Sequence, residues 1–151
     1  MEIKKELLAP CSLYCGVCGI RIAYLDDNQK FKERLCTVYG TKPEDIFCDG
    51  CLAEDEKVFL YCRVCPIKGC VKEKGIDGCH QCDEFPCEHI DKFPLEVGKK
   101  VILRAVPQRR EWGDEKWVRE EEKRYTCPHC GYKIFRGAKR CRQCKEPLDL
   151  D

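Results

Sequence analysis

The chain has 151 residues and a formal net charge of +1 at pH 7, with 43% hydrophobic and 36% charged residues. Sixteen residues are cysteine, so the remaining apolar content is low for this length, and something besides hydrophobic burial is expected to stabilise the fold. The sequence excludes collagen, a coiled coil and a transmembrane protein, because it has no Gly-X-Y repeat, no long heptad run and no apolar stretch near about 20 residues.

The spacing of the cysteines predicts metal binding rather than disulfides. The first ten residues are too charged to form a secretory signal peptide, so we expect a cytoplasmic protein, and structural disulfides are rare in the cytoplasm. When two residues separate the cysteines of a pair, both sulfurs point at one metal ion, and zinc is the ion that suits such pairs best. The six Cys-x-x-Cys pairs are Cys15/Cys18, Cys48/Cys51, Cys62/Cys65, Cys79/Cys82, Cys127/Cys130 and Cys141/Cys144.

The first predicted element in chain order is a helical stretch over residues 19–39. Its apolar positions follow a helical period, with an interruption near Asp26–Asn28. Gly40 and Pro43 are expected to end it. Cys36 lies inside this stretch without a neighbouring cysteine, which favours a buried thiol that packs as a small apolar residue.

Cysteine motifs flank this helix on both sides. Segment 11–18 carries three cysteines, and segment 48–51 reads Cys-Asp-Gly-Cys, in which Asp-Gly supplies a turn. Segments 62–70 and 79–87 then repeat one spacing, Cys-x2-Cys-x4-Cys, 17 residues apart. Two copies of a three-ligand unit predict neighbouring metal sites built on a common plan.

The number of ligands in this N-terminal part leaves two alternatives open. It has eleven patterned cysteines, whereas three tetrahedral all-cysteine sites need twelve. Either Cys36, His80 or His89 supplies the last ligand, or two sites are complete and three cysteines serve elsewhere. For His80 and His89, positions outside a metal site are favoured.

A helical connector is predicted over residues 95–124, where the chain has no cysteine. A break is expected at Pro107, and Asp114 is expected to cap a second helix. Trp112 and Trp117 are predicted to pack this connector against one of the metal-binding parts.

The C-terminal segment predicts a zinc ribbon. Ten residues separate the pairs Cys127/Cys130 and Cys141/Cys144, which suits a β-hairpin through 132–135 with a turn at Arg136-Gly137. His129 needs no metal role there.

Segment 123–145 holds eight basic residues and no acidic one. Such a surface is able to contact a nucleic-acid backbone, whereas a solvated or protein-contacting face is the favoured alternative. The candidate nucleic-acid contacts are Lys133, Arg136, Lys139, Arg140 and Arg142.

These motifs together resemble the cysteine-rich prokaryotic family known as domain of unknown function 3795. The resemblance rests on the opening three cysteines, Cys48-Asp-Gly-Cys51, the segment 62–70 with Lys74-Gly75, Cys79-x2-Cys82, and Phe85-Pro-Cys87-Glu. It covers roughly residues 9–95, and some members also carry a C-terminal ribbon after a Trp-bearing helix. The resemblance implies metal binding and no assigned activity. Cys36 does not belong to the family pattern.

The sequence therefore predicts a small metal-stabilised protein that is mainly α with little β. It comprises a cysteine-rich multi-zinc domain (1–94), the helical connector (95–124) and the ribbon (125–151), with three to four zinc ions. The predicted ligands are Cys11, Cys15, Cys18, Cys48, Cys51, Cys62, Cys65, Cys70, Cys79, Cys82, Cys87, Cys127, Cys130, Cys141 and Cys144.

The predicted role is that of a zinc-binding scaffold or adaptor for an unknown protein or nucleic acid. One alternative is nucleic-acid binding through the ribbon, and another is an iron–sulfur electron carrier or sensor in the N-terminal domain. No catalytic motif is present, so a binding role is favoured over an enzymatic one. Neither a membrane nor a small-molecule substrate is indicated.

Overall fold

The structure is a computed structural model that describes residues 2–151. Over these residues the protein is mainly helical and contains no β-strand, only two isolated antiparallel bridges. No helix within residues 2–151 combines the length and apolar character that crossing a membrane requires. The helices are α1 (Gly19–Leu25), α2 (Gln29–Tyr39), α3 (Leu60–Arg63), α4 (Pro66–Lys74), α5 (Glu88–Asp91) and α6 (Glu96–Arg124), joined in part by short 3-10 turns.

The predicted first helical stretch forms two helices, α1 and α2, and the interruption lies where the sequence indicated it. The Asn28 side chain caps α2 by accepting a hydrogen bond from the Phe31 N–H at 3.1 Å. Asp27 adopts a left-handed conformation (φ 46°) between the helices. Gly40 ends α2 with φ 66°, a conformation in which glycine has no Cβ penalty.

The connector forms one long element, α6, whose break is not at the predicted residue. Pro107 lies within the helix on its exposed side, whereas the backbone leaves helical geometry at Gly113 (φ 80°, ψ 168°). The prediction of a break at Pro107 was wrong, because a proline removes one backbone hydrogen bond but keeps a helical φ. Gly113 instead adopts a conformation that other residues rarely reach.

The predicted β-hairpin between the C-terminal cysteine pairs is absent from the described residues. The backbone N–H groups that would pair across a hairpin bond elsewhere. Ile134 donates to the Tyr125 carbonyl at 2.9 Å, and Arg136 donates to the Val17 carbonyl at 2.8 Å. The hairpin prediction was therefore wrong, because Ile134 and Arg136 bond to Tyr125 and Val17 rather than across a turn at Arg136-Gly137.

One core joins the N-terminal segment, α4, α5, α6 and the C-terminal segment. Trp117 of α6 is fully buried at its centre and contacts Tyr14 edge-on, with ring centroids 5.9 Å apart. The predicted packing of Trp117 against the cysteine-rich part is thereby confirmed, and Trp112 packs, partly buried, on the same core. Its other large members include Leu7, Leu8, Leu13, Val17, Ile67, Val71, Ile90, Val101, Ile102, Val106, Tyr125 and Ile134.

A second, smaller core lies under α1 and α2. Phe31 and Leu35 of α2 are buried there against α1 and the segment 46–59. Phe135 of the C-terminal segment packs against both cores, and its ring centroid lies 4.8 Å from that of Phe31. The C-terminal segment is therefore seated between the two cores.

Candidate metal centre

The four C-terminal cysteines are the group that the structure brings to metal-binding distance. The Sγ atoms of Cys127, Cys130, Cys141 and Cys144 all lie within 4.8 Å of one another. The Cys127–Cys144 pair is separated by 3.7 Å and the Cys130–Cys141 pair by 3.6 Å. Because a tetrahedral ion with zinc–sulfur bonds of about 2.3 Å places its sulfurs about 3.8 Å apart, the four thiols fit one zinc ion.

Each of the two C-terminal pairs sits in the same kind of turn. The fourth residue after the first cysteine is left-handed in both turns, Gly131 with φ 77° and Lys145 with φ 66°. Gly131 donates its N–H to the Cys127 carbonyl at 2.9 Å, and Lys145 donates its N–H to the Cys141 carbonyl at 3.0 Å. An isolated bridge closes each turn, Thr126 with Lys133 and Arg140 with Pro147. Two equivalent turns thus present four sulfurs to one point.

Crowding of the four thiols perturbs their ionisation in opposite directions. Burial acts against ionisation of Cys141, but the backbone N–H groups of Cys144 and Gln143 lower its pKa to about 6. The Glu146 N–H acts to lower the pKa of Cys144, yet burial and the neighbouring thiols raise it to about 12. Four thiolates so close together need a cation, and a bound metal ion supplies that charge.

Cys15 and Cys51 form the closest contact described among the N-terminal cysteines. The Cys51 N–H donates to the Cys15 Sγ at 3.4 Å. The hydrogen bonds from Cys51 lower the pKa of Cys15 to about 7, and the nearby guanidinium groups of Arg136 and Arg21 act in the same direction. The pKa of the Cys51 thiol is raised, first through its contact with Cys15 and then by burial.

Other N-terminal cysteines lie within electrostatic reach of this pair. Burial raises the pKa of Cys11 to about 12, and the Cys65 and Cys15 thiols add to the shift. Burial likewise raises the pKa of Cys62, with the Cys18 and Cys48 thiols next in effect. Within residues 2–151, however, no three N-terminal ligand atoms lie within 4.8 Å of one another.

The remaining candidate ligands occupy varied environments. Cys36 is partly buried in α2 and packs against the second core, as expected for a thiol that serves as an apolar residue. His80 is half-buried, and its Nδ1 atom is enclosed without a hydrogen-bond partner. Burial lowers the pKa of His80, and the charge of Arg109 adds to this effect. His89 and His129 are both exposed.

The basic C-terminal side chains divide into free and engaged groups. Lys133, Lys139 and Arg140 are exposed. Arg136 donates to the Tyr14 carbonyl at 3.0 Å. Arg142 stacks over the Phe31 ring at 4.6 Å, although sequence reasoning had treated both arginines as surface charges. Nothing local in the sequence marked these contacts, because the partners lie more than 100 residues away.

Comparison with known proteins identifies a family over the cysteine-rich part. The family described as "Protein of unknown function (DUF3795)" matches residues 7–92, which is more than half of the chain. No curated protein and no solved structure matches at a significant level. The resemblance inferred from the cysteine motifs is thereby confirmed.

Proposed function

The chain belongs to the DUF3795 family, and we propose that it is a zinc-stabilised scaffold protein with a structural zinc ion at its C-terminal cysteines. The observation that carries this proposal is the placement of four sulfurs within 4.8 Å of one another. Four cysteine ligands complete a tetrahedral zinc site and leave no open position for a substrate or a reactive water, which is the pattern of a structural site.

The zinc site has a specific task in this fold. The core members Tyr125, Ile134 and Ala138 lie on the turns or between them, and Phe135 joins the two cores. Because the strand-like pairing of this segment is limited to two isolated bridges, its conformation depends on the ion and on the surface against which it packs. We therefore assign the ion to the docking of the C-terminal segment, and so to the shape of the whole scaffold.

Further zinc ions in the N-terminal part belong to the same proposal. Burial raises the pKa of Cys11 and of Cys62, neighbouring thiols add to both shifts, and the charges of Arg21 and Arg136 act on Cys15. A total of three to four ions per chain follows if these cysteines are ligands. The division into 1–94, 95–124 and 125–151 describes three parts of one scaffold, since a single core runs through all of them.

Zinc counting tests the C-terminal site directly. The double variant Cys130→Ser, Cys141→Ser is expected to lose one zinc per chain relative to the parent, because serine is a poor zinc ligand. The measurement is elemental analysis of protein purified without chelating resin. Cys36→Ser is the matched control and should keep the parental zinc content. Equal zinc content in the double variant and the parent would refute the site.

Nucleic-acid binding is a second candidate that one observation favours. Three exposed bases, Lys133, Lys139 and Arg140, lie on the C-terminal segment. The engagement of Arg136 and Arg142 within the protein reduces this surface, and for that reason we place the scaffold role first. The test is binding to immobilised DNA or RNA at increasing salt concentration. Binding that weakens with salt, and that is lost in the double variant Lys139→Ala, Arg140→Ala, would place the nucleic-acid role first.

A further inference from the structure

A cavity of about 480 Å³ lies between the N-terminal segment, α1, the second half of α6 and the C-terminal segment. This volume is within the range of about 300–1,000 Å³ that is usual for small-molecule sites. None of the four sulfurs of the C-terminal centre lines it. The buried part of its wall is apolar or aromatic and comprises Leu7, Tyr14, Val17, Val118 and Tyr125.

Three basic side chains line the same cavity from three different parts of the chain. Lys4 belongs to the N-terminal segment, Arg21 to α1 and Lys133 to the C-terminal segment. Within residues 2–151 none of the three forms an ion pair with a carboxylate. Because each of these positive charges is left without a counter-charge, an anion in the cavity would gain attraction from all three.

Arg21 is the member of this group that the fold leaves least satisfied. Its side chain is partly buried, and its Nε atom is shielded from solvent without a hydrogen-bond partner in the described part of the chain. A shielded donor without an acceptor costs free energy, and the cost is larger for a charged group. A guanidinium presents its N–H donors in a planar fork that matches the oxygens of a carboxylate or a phosphate. Such an oxyanion would supply the acceptor that Arg21 lacks.

Two carboxylates also line the cavity and limit the charge that it can accept. Glu122 of α6 accepts a hydrogen bond from the Tyr14 hydroxyl at 3.0 Å, and Glu2 is exposed. Burial raises the pKa of Tyr14 and the bond to Glu122 adds to the shift, so this hydroxyl stays protonated and engaged with Glu122. With three basic and two acidic side chains, the lining has a net charge of +1. This small excess favours a ligand with one or two negative charges over a polyanion.

We propose that this cavity binds a small organic anion, with its carboxylate or phosphate group at Arg21 and its apolar part against Leu7, Val17 and Val118. Burial of the apolar part contributes affinity, and the guanidinium fixes the orientation of the ligand. The site shares no residue with the four C-terminal cysteines, and it gives the protein a ligand beyond its scaffold role.

Nuclear magnetic resonance titration of the zinc-loaded full chain tests this proposal with four probes. Phenyl phosphate and benzoate combine a ring with an anionic group, whereas inorganic phosphate and phenol each supply one part alone. We expect saturable shifts of the Arg21, Val118 and Lys133 amide signals, with at least one organic anion bound about tenfold more tightly than inorganic phosphate and phenol. The tighter of phenyl phosphate and benzoate identifies the anionic group.

Three results of this titration would overturn the proposal. The first is the absence of saturable shifts with both organic anions. The second is an affinity for inorganic phosphate or for phenol that equals that of the organic anions. The third is a set of shifts confined to residues outside the cavity.

Substitution of Arg21 tests the assigned contact. Arg21→Gln removes the charge and the fork of donors, so the tighter organic anion is expected to bind at least about tenfold more weakly. Arg34→Gln on the exposed side of α2 is the matched control and should bind as the parent does. Zinc content and the dispersion of the amide signals report that both variants are folded. Equal affinity of a folded Arg21→Gln variant and the parent would refute the contact.

A second substitution is expected to have the opposite effect. Glu122→Gln keeps an acceptor for the Tyr14 hydroxyl and removes a negative charge from the cavity, so the organic anion should bind about threefold more tightly. A gain in affinity cannot result from a loss of folding. Weaker binding by Glu122→Gln would contradict the placement of the anionic group in this cavity.

Zinc analysis separates this result from the proposed function. A parent chain that loses one zinc in the variant Cys130→Ser, Cys141→Ser but binds neither organic anion would support the scaffold role and refute the anion site. Binding of an organic anion by a parent whose zinc content the double variant keeps would do the reverse.

Discussion

At the scale of single residues, Arg109 joins three parts of the chain. Its side chain is almost fully buried, with its guanidinium 4.7 Å from the Trp117 ring centroid. It donates to the Ala9 carbonyl at 3.0 Å and to the Asp114 carboxylate at 2.6 Å. A buried charge is tolerated when its donors are satisfied, and here they fix α6 against the N-terminal segment and across the kink.

Arg109→Ala is expected to lower the free energy of unfolding by about 2–4 kcal/mol. The substitution leaves a cavity beside Trp117 and leaves the Ala9 carbonyl without this donor. Arg119→Ala is the control, because Arg119 and Glu115 form an exposed pair at 3.0 Å whose loss costs about 0.5 kcal/mol or less. Urea unfolding at a fixed zinc concentration measures both values. Equal effects of the two substitutions would contradict this account.

At the scale of elements, α6 combines a long helix with one sharp change of direction. The kink at Gly113 precedes Asp114, which pairs with Arg109, and Trp117, on which the Arg109 guanidinium lies. The glycine thus allows the second half of α6 to bring its tryptophan to the core. Pro107 plays no comparable part, since the helix continues through it.

Gly113→Ala is expected to destabilise the protein by about 1–3 kcal/mol, because an L-residue is strained at this φ and ψ. A Cβ at Gly113 would meet nothing within 4 Å, so the effect is conformational and not steric. Gly69→Ala in α4 is the matched control, since a Cβ at Gly69 also meets nothing within 4 Å. Because Gly69 lies inside a helix, its replacement by alanine is expected to stabilise the protein by about 0.5–1 kcal/mol. Thermal unfolding of both variants checks the opposite signs; destabilisation by both would disprove the assignment of strain to Gly113.

At the scale of the whole molecule, the C-terminal segment is a structural member of the main core and not an appended module. Cys127 and Cys141 are themselves buried in that core, together with Tyr125 and Ile134. Arg136 reaches the Tyr14 carbonyl, and Arg142 stacks over Phe31 of the second core. The four-cysteine cluster and the packing of the N-terminal part are therefore coupled.

Removal of zinc is expected to release segment 125–151 and to weaken the core to which it is attached. Structural zinc contributes on the order of 10 kcal/mol of apparent folding free energy per site, far more than this segment gains from its own hydrogen bonds. Amide hydrogen exchange with and without a strong chelator measures the effect. We expect the chelator to make exchange faster in residues 125–151 and at Trp117. The Cys130→Ser, Cys141→Ser variant should exchange fast before chelation. Unchanged exchange in the chelated parent would show that the segment folds without the ion.

The sequence by itself determined the family, the mainly helical character and the four cysteines that come together at the C-terminal centre. Short-range chemistry explains this success. A Cys-x-x-Cys pair fixes the approach of two thiols within four residues. The Asn28 cap begins α2 through a local hydrogen bond, and Gly40 ends it through its backbone conformation. Such features depend on residues that are close together in the chain, so they can be predicted from the sequence.

Only the tertiary structure decided how the cysteines are grouped and what the C-terminal segment pairs with. The hairpin prediction was wrong because Arg136 bonds to Val17 and Tyr14, which are remote in the sequence. The cavity beside Arg21 likewise draws on the N-terminal segment, α1, α6 and the C-terminal segment. Spacing along the chain limits which sulfurs lie close in pairs, but the packing of helices decides which pairs meet.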